Sequence, residues 1–136
     1  GKFFTHNDGK DIPTIGYGHK IKPGESFPYG ITEQQAEGLL RQDIKIAEND
    51  YMKLIGRTDY SQNKIDGIIS FLYNTGGGSK VANSNTINML KNNLNVNPQN
   101  GKTLSQEFME WVSKGTSAEK GLINRRNKEW EFMKKR

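Results

Sequence analysis

Two periodicities divide this chain near residue 31, and that division limits the folds open to it. Before this point apolar residues alternate with others or sit between turn signals. After it they recur at three- and four-residue spacing, helix after helix, with no strand pattern between them. Strands gathered at one end and helices at the other give a segregated α+β chain. At 136 residues the chain fits one domain and is long enough to bury a core.

The early part centres on Thr14-Ile15-Gly16-Tyr17-Gly18-His19. Ile15 and Tyr17 alternate with two glycines, which reads as a strand with one apolar face and one face bare of side chains. Bare glycines let another group come close to the backbone. Asp8-Gly9 and Lys10-Asp11 ahead of Pro13 read as a turn. The expected local structure is a small hairpin, with an acid (Asp8) on one arm and a hydroxyl (Thr14) on the other. Residues 20–30 are loop, marked by Pro23-Gly24 and Pro28-Tyr29-Gly30. Glu25 lies in that loop with no sign of the burial that would raise its pKa, so it is not expected to serve as a general acid.

Thr32-Glu33-Gln34-Gln35 is a capping box that opens a long helix. Ala36, Leu39, Leu40, Ile44, Ala47 and Tyr51 form its apolar stripe, and Gly56 stops it. Helical spacing places Asp43 within that stripe, where a carboxylate needs a partner. A second helix over 61–75 carries no charge from Gly67 onward, so it is expected at the centre of the molecule. Gly76-Gly77-Gly78 ends it and lacks the Gly-Lys-Ser/Thr continuation of a phosphate loop. Shorter helices follow from Ser84 and over 104–113, and the last one opens near Ser117.

The chain has 20 Lys and Arg against 15 Asp and Glu, a net charge of +5, so it favours anionic partners. No zinc-finger spacing, basic-leucine pattern or aromatic RNA-binding signature accompanies the charge, and nucleic acid is not the expected partner. His6 and His19 are the only histidines and cysteine is absent, so neither a metal nor a disulfide framework is expected. No apolar run approaches a membrane span. No signal-peptide core is visible, and synthesis in a reducing cytoplasm is expected. No long apolar stripe is left over for an interface, so a monomer is expected.

Asp8, five residues, then Thr14-Ile15-Gly16-Tyr17-Gly18-His19 resembles the signature of the phage-type lysozymes, the muramidases of tailed-phage endolysins. Ser70-Phe71-Leu72-Tyr73-Asn74-Thr75-Gly76 resembles that family's Ser-x-x-x-Asn-x-Gly segment. Gly121-Leu122-Ile123-Asn124-Arg125-Arg126-Asn127-Lys128-Glu129 resembles its Gly-Leu-x-x-Arg-Arg-x-x-Glu ending. The resemblance implies a lysozyme-like α+β fold: a small N-terminal β lobe (1–31) packed on a larger helical lobe (32–136), with a cleft between them. It implies hydrolysis of the β-1,4 bond between N-acetylmuramic acid and N-acetylglucosamine in bacterial peptidoglycan, with inversion and without a cofactor. Asp8 would be the base that orients water and Thr14 would hold that water. Gly18, Tyr73, Asn74 and Arg125 would contact substrate, and His19 would pair structurally with Asp43. Arg126 and Glu129 would form a structural pair or face water.

The family's catalytic glutamate ends a first short helix and precedes a glycine, so the resemblance places it just upstream of Gly1. Three other readings stay open. One is a catalytically inactive peptidoglycan-binding or structural relative. Another, suggested only by charge, is a nucleic-acid-binding domain. The third concerns setting: phage endolysin, tail lysozyme, or secreted antibacterial toxin plugged by an immunity or inhibitor protein.

Overall fold

A computed structural model of the chain describes residues 2–7 and 13–135. It has a small β-strand region and a larger helical part, an α+β arrangement. β1 (Lys2–Phe3) pairs antiparallel with β5 (Ile31–Thr32). β2 (His6–Asn7), β3 (Pro13–Ile15) and β4 (His19–Lys20) form a three-stranded antiparallel sheet with β3 in the middle. The Thr14–His19 segment is therefore not one strand. It is a hairpin, with Gly16–Gly18 as its turn. Gly16 at φ 67° and Gly18 at φ 93° adopt backbone that side chains disfavour, so the glycines serve the reversal. Ile15, Ile31 and Ala36 are the buried centre of this lobe, with Phe3, Phe27 and Leu39 packed around them.

α1 (Glu33–Leu54) starts at the capping box. Thr32 Oγ1 accepts from the Gln35 backbone, and Gln35 Oε1 accepts from the Thr32 N–H at 2.8 Å. Gly56, at φ 67°, returns its N–H to the Tyr51 carbonyl and closes the helix end. The buried face of α1 is Ala36, Ala47 and Tyr51. Ile44, expected in the stripe, is 37% exposed, whereas Asp43 beside it turns inward. The helix thus offers the rotation that seats a carboxylate against His19 and leaves an isoleucine partly wet.

α2 (Gln62–Thr75) is the central helix, packed on α1 and on the last helix. Ile68, Phe71 and Leu72 are fully buried with Met89, Leu90 and Phe108. Three short helices follow: α3 (Ser79–Ala82), α4 (Asn85–Lys91) and α5 (Leu104–Phe108). α6 (Glu119–Lys134) returns across α2 at Gly67, where an added Cβ would lie 2.8 Å from the Glu129 carbonyl oxygen. α5 is shorter than the expected 104–113. Beyond Phe108 the chain turns, Ser113 takes φ 50°, and the Trp111 carbonyl accepts a hydrogen bond from Arg126 Nε at 2.9 Å. The Glu110 and Trp111 N–H groups turn to the carbonyls three residues back, those of Glu107 and Phe108, so the α pattern gives way to tighter turns.

Candidate active site

The hairpin of β3 and β4 lies across the end of α2. Thr14 is 4% exposed in the middle strand, with His6 on one side of it in register and Lys20 on the other. Lys20 reaches over to α2, donating from Nζ to the Asn74 carbonyl at 3.2 Å. One residue earlier, the Tyr73 hydroxyl donates to the Tyr17 carbonyl in the hairpin turn. Burial and the Asp43 charge raise the Tyr73 pKa against the pull of Arg125, so the phenol keeps its proton and acts as donor. Gly18 is adjacent: a Cβ there would meet the Tyr73 hydroxyl at 3.5 Å. Tyr73 and Asn74 thus join the two lobes.

In the helical part, bordered by Lys20 from β4, lies a cavity of about 470 Å³, whose walls include Asn74, Thr75, Trp111, Lys114 and Arg126. Lys80 and Glu110 also border it, and Glu110 is engaged by Lys102 Nζ at 2.6 Å. The balance of charge around the opening is basic.

Arg126 forms the floor. It is fully buried, with its guanidinium carbon 5.0 Å from the centre of the Phe71 ring and 5.9 Å from that of Phe108. Nε donates to Trp111, Nη1 donates to Glu129, and Nη2 donates to Asn74 Oδ1. Burial pulls the Arg126 pKa down and Glu129 opposes this. The pair was expected as structural or water-facing, and it is structural, at 1% and 3% side-chain exposure.

Arg125 lies elsewhere. Its Nη2 donates to the Ser70 carbonyl at 3.0 Å and its Nε to Glu129 at 3.0 Å, and its guanidinium sits 5.7 Å from the Tyr73 ring centre. This places it in a groove between α2 and α6, with Asp66, Ser70 and Lys128, rather than in the cavity that Arg126 floors. Sequence reading did not foresee that arrangement. Two adjacent arginines on a helix point about 100° apart, and only the packing of α6 decides which faces the cleft. Trp111, also missed as a wall of the cavity, donates from Nε1 to the buried Thr86 hydroxyl at 3.0 Å.

His19 is 2% exposed and lies between two carboxylates. Its Nδ1 is 2.8 Å from Asp43 and its Nε2 is 3.0 Å from Glu25. Burial works to lower its pKa, but the two acids together outweigh it and the pKa is raised. A ring with an acid at each nitrogen needs both protons. Glu25, which also accepts from the Lys22 N–H at 2.7 Å, has a lowered pKa through that bond and through His19. Its ionised state opposes any role as proton donor. Asp8, and the turn expected around it, lie outside the described residues. Among the described residues, no group of three or more acids or histidines is arranged to hold a metal, and no helix is long and apolar enough to cross a membrane.

The chain was compared with known proteins. A family model described as phage lysozyme matches residues 4–129. An endolysin of Salmonella phage P22 is 30% identical over 132 residues, which cover 95% of this chain and 85% of that protein. An endolysin of Bacillus phage B103 is 33% identical over 119 residues, 85% of this chain but only 41% of its own length. The chain therefore spans about two fifths of the Bacillus phage relatives that it matches. Among solved structures, the endolysin from Escherichia coli O157:H7 phage FAHEc1 superposes with a TM-score of 0.70 at 26% identity, covering 96% of this chain and 81% of that one.

Proposed function

The chain belongs to the phage lysozyme family, and from that premise we propose that it is a muramidase domain that cleaves the β-1,4 bond between N-acetylmuramic acid and N-acetylglucosamine of peptidoglycan. The observation that carries this reading is the match of residues 4–129 to the phage lysozyme model. Thr14 stands in the middle strand, in register with Lys20, which lines the cavity and is tied to Asn74.

Hydrolysis with inversion needs a base to activate water and an acid to protonate the leaving oxygen. Asp8 is the base in this reading, and Thr14 orients the water that Asp8 activates. The acid is a glutamate preceding Gly1. Phe3 stacks on Tyr17 at 5.0 Å, Tyr17 accepts from Tyr73, and Arg125 lies over Tyr73. In this reading Arg125, beside the Tyr73 ring, is the residue that holds that glutamate, a role that rests on the family resemblance. Lys80 and Lys114 at the opening suit the carboxylates that wall glycans carry.

The test is the release of reducing ends from purified peptidoglycan. The 136-residue chain should bind insoluble wall and release few ends. The same chain preceded by its native upstream segment should release many, and Asp8→Asn should abolish this. If the upstream segment holds no glutamate, the alternative gains: a wall-binding relative without chemistry, which the ionised state of Glu25 also favours.

A further inference from the structure

The sequence holds a single Asn-Gly pair, Asn100-Gly101, and the fold sets its asparagine against a buried acid. Glu107, in α5, is 4% exposed. Asn100 Nδ2 donates to Glu107 Oε1 at 2.9 Å, and among the described residues no other side chain is hydrogen-bonded to that carboxylate. A buried carboxylate needs donors, and the Asn100 amide supplies one. Lys102, in the same loop, is committed to Glu110, with Nζ 2.6 Å from its carboxylate. The other end of the Asn100 amide is also held, because Oδ1 accepts from the Lys102 N–H at 2.9 Å. The Gly101 N–H donates to the carbonyl of the buried Asn97 at 2.8 Å.

Asn-Gly pairs are prone to deamidation, because glycine has no side chain to screen its nitrogen. The Gly101 nitrogen would attack Asn100 Cγ. The N–Cγ bond forms, the Cγ–Nδ2 bond breaks, and the side-chain nitrogen leaves as ammonia with the proton that Gly101 gives up. Water then opens the five-membered imide at either carbonyl, giving aspartate or isoaspartate, and the acid proton converts ammonia to ammonium. In the folded chain each reacting group is already engaged: the nucleophile by Asn97, the amide by Glu107 and Lys102. The product is a carboxylate, which accepts and cannot donate. It would face Glu107 with a like charge and leave a buried acid without its donor.

We propose that Asn100 is a modification site guarded by the fold: its clasp by Glu107 and Lys102 restrains deamidation, and the deamidated chain loses the contact that seats α5. It stands independently of the glycan reading.

The experiment incubates the chain in mildly alkaline buffer, folded and unfolded in guanidinium chloride, and follows aspartate and isoaspartate at position 100 by peptide mass spectrometry. The folded chain should react about tenfold or more slowly, as expected when several hydrogen bonds must open first. Asn100→Asp, which reproduces one product, should melt lower by roughly 3–8 °C. In a Glu107→Gln background the same substitution should cost little, because the new amide can donate to the new carboxylate. That recovery is also the readout if Asn100→Asp alone fails to fold. The proposal is overturned if the folded and unfolded chains deamidate at equal rates, if Asn100→Asp melts with the parent, or if the Glu107→Gln background leaves its loss undiminished.

Discussion

One substitution made at two places should change stability in opposite directions. Gly67 lies where α2 crosses α6, and an alanine Cβ there would stand 2.7 Å from Met133 Cγ, 2.8 Å from the Glu129 carbonyl oxygen and 3.3 Å from the Met133 nitrogen. The side-chain carbon can swing away, but the two backbone atoms cannot. An ordinary contact begins near 3.4 Å, so α6 must retreat by about 0.6 Å along that line. Glu129 and Met133 move with it, which loosens both the Arg126 pair and the core around Ile68. Overpacking of this kind costs about 1–3 kcal/mol. Replacing a mid-helix glycine returns up to ~1 kcal/mol through helix propensity. The net expectation for Gly67→Ala is a loss of up to about 2 kcal/mol, a fall in melting temperature of up to roughly 10 °C for a chain of this length. Gly38 is exposed within α1 and a Cβ there meets nothing within 4 Å. Gly38→Ala should therefore gain roughly 0.5–1 kcal/mol and melt a few degrees higher. Thermal unfolding followed by circular dichroism reads both. The packing argument fails if Gly67→Ala melts at or above the parent, or if the two variants shift in the same direction.

Three further outcomes follow from the side-chain networks. His19 has a raised pKa, so its contribution is complete below its unfolded value of about 6.5 and fades as pH rises through the higher folded value. Glu25 has a lowered pKa, so its contribution is present above about 4.5 and fades as pH falls. Urea midpoints should therefore peak between these limits, and His19→Gln should lose the decline on the alkaline side; an unchanged profile would count against the two-acid clasp. Glu129→Gln strands the buried Arg126 charge and should cost roughly 3–5 kcal/mol, the range for breaking a buried pair; a midpoint within error of the parent would rule that out. Tyr73→Phe removes the bond to the Tyr17 carbonyl in an exposed turn, where water can replace it, so a loss near the lower end of about 0.5–1.5 kcal/mol is expected, with the effect on wall binding exceeding that on melting.

The segregation of strands from helices was legible because periodicity is local, and so were the Thr32 capping box, the stop at Gly56 and the apolar face of α2. Asp43 announced its own need for a partner, since a carboxylate in an apolar stripe must be satisfied. What was misread turned mostly on contacts between distant segments. The alternation of Ile15 and Tyr17 with glycines suits a strand or a turn equally, and only the pairing of β3 with β4 shows that Gly16–Gly18 reverse the chain. α5 stops at Phe108, well short of 113, where the Glu110 and Trp111 N–H groups close tight turns onto Glu107 and Phe108. Glu25 looked like a free loop acid until His19 and the Lys22 N–H were found on it. Sequence alone thus determined the class of the fold, its family and the residues available for chemistry, because these depend on residue type and spacing. Tertiary structure decided that Arg126 rather than Arg125 floors the cavity and that the Asn74 side-chain oxygen accepts from it, because the direction of a side chain is set by what packs against it.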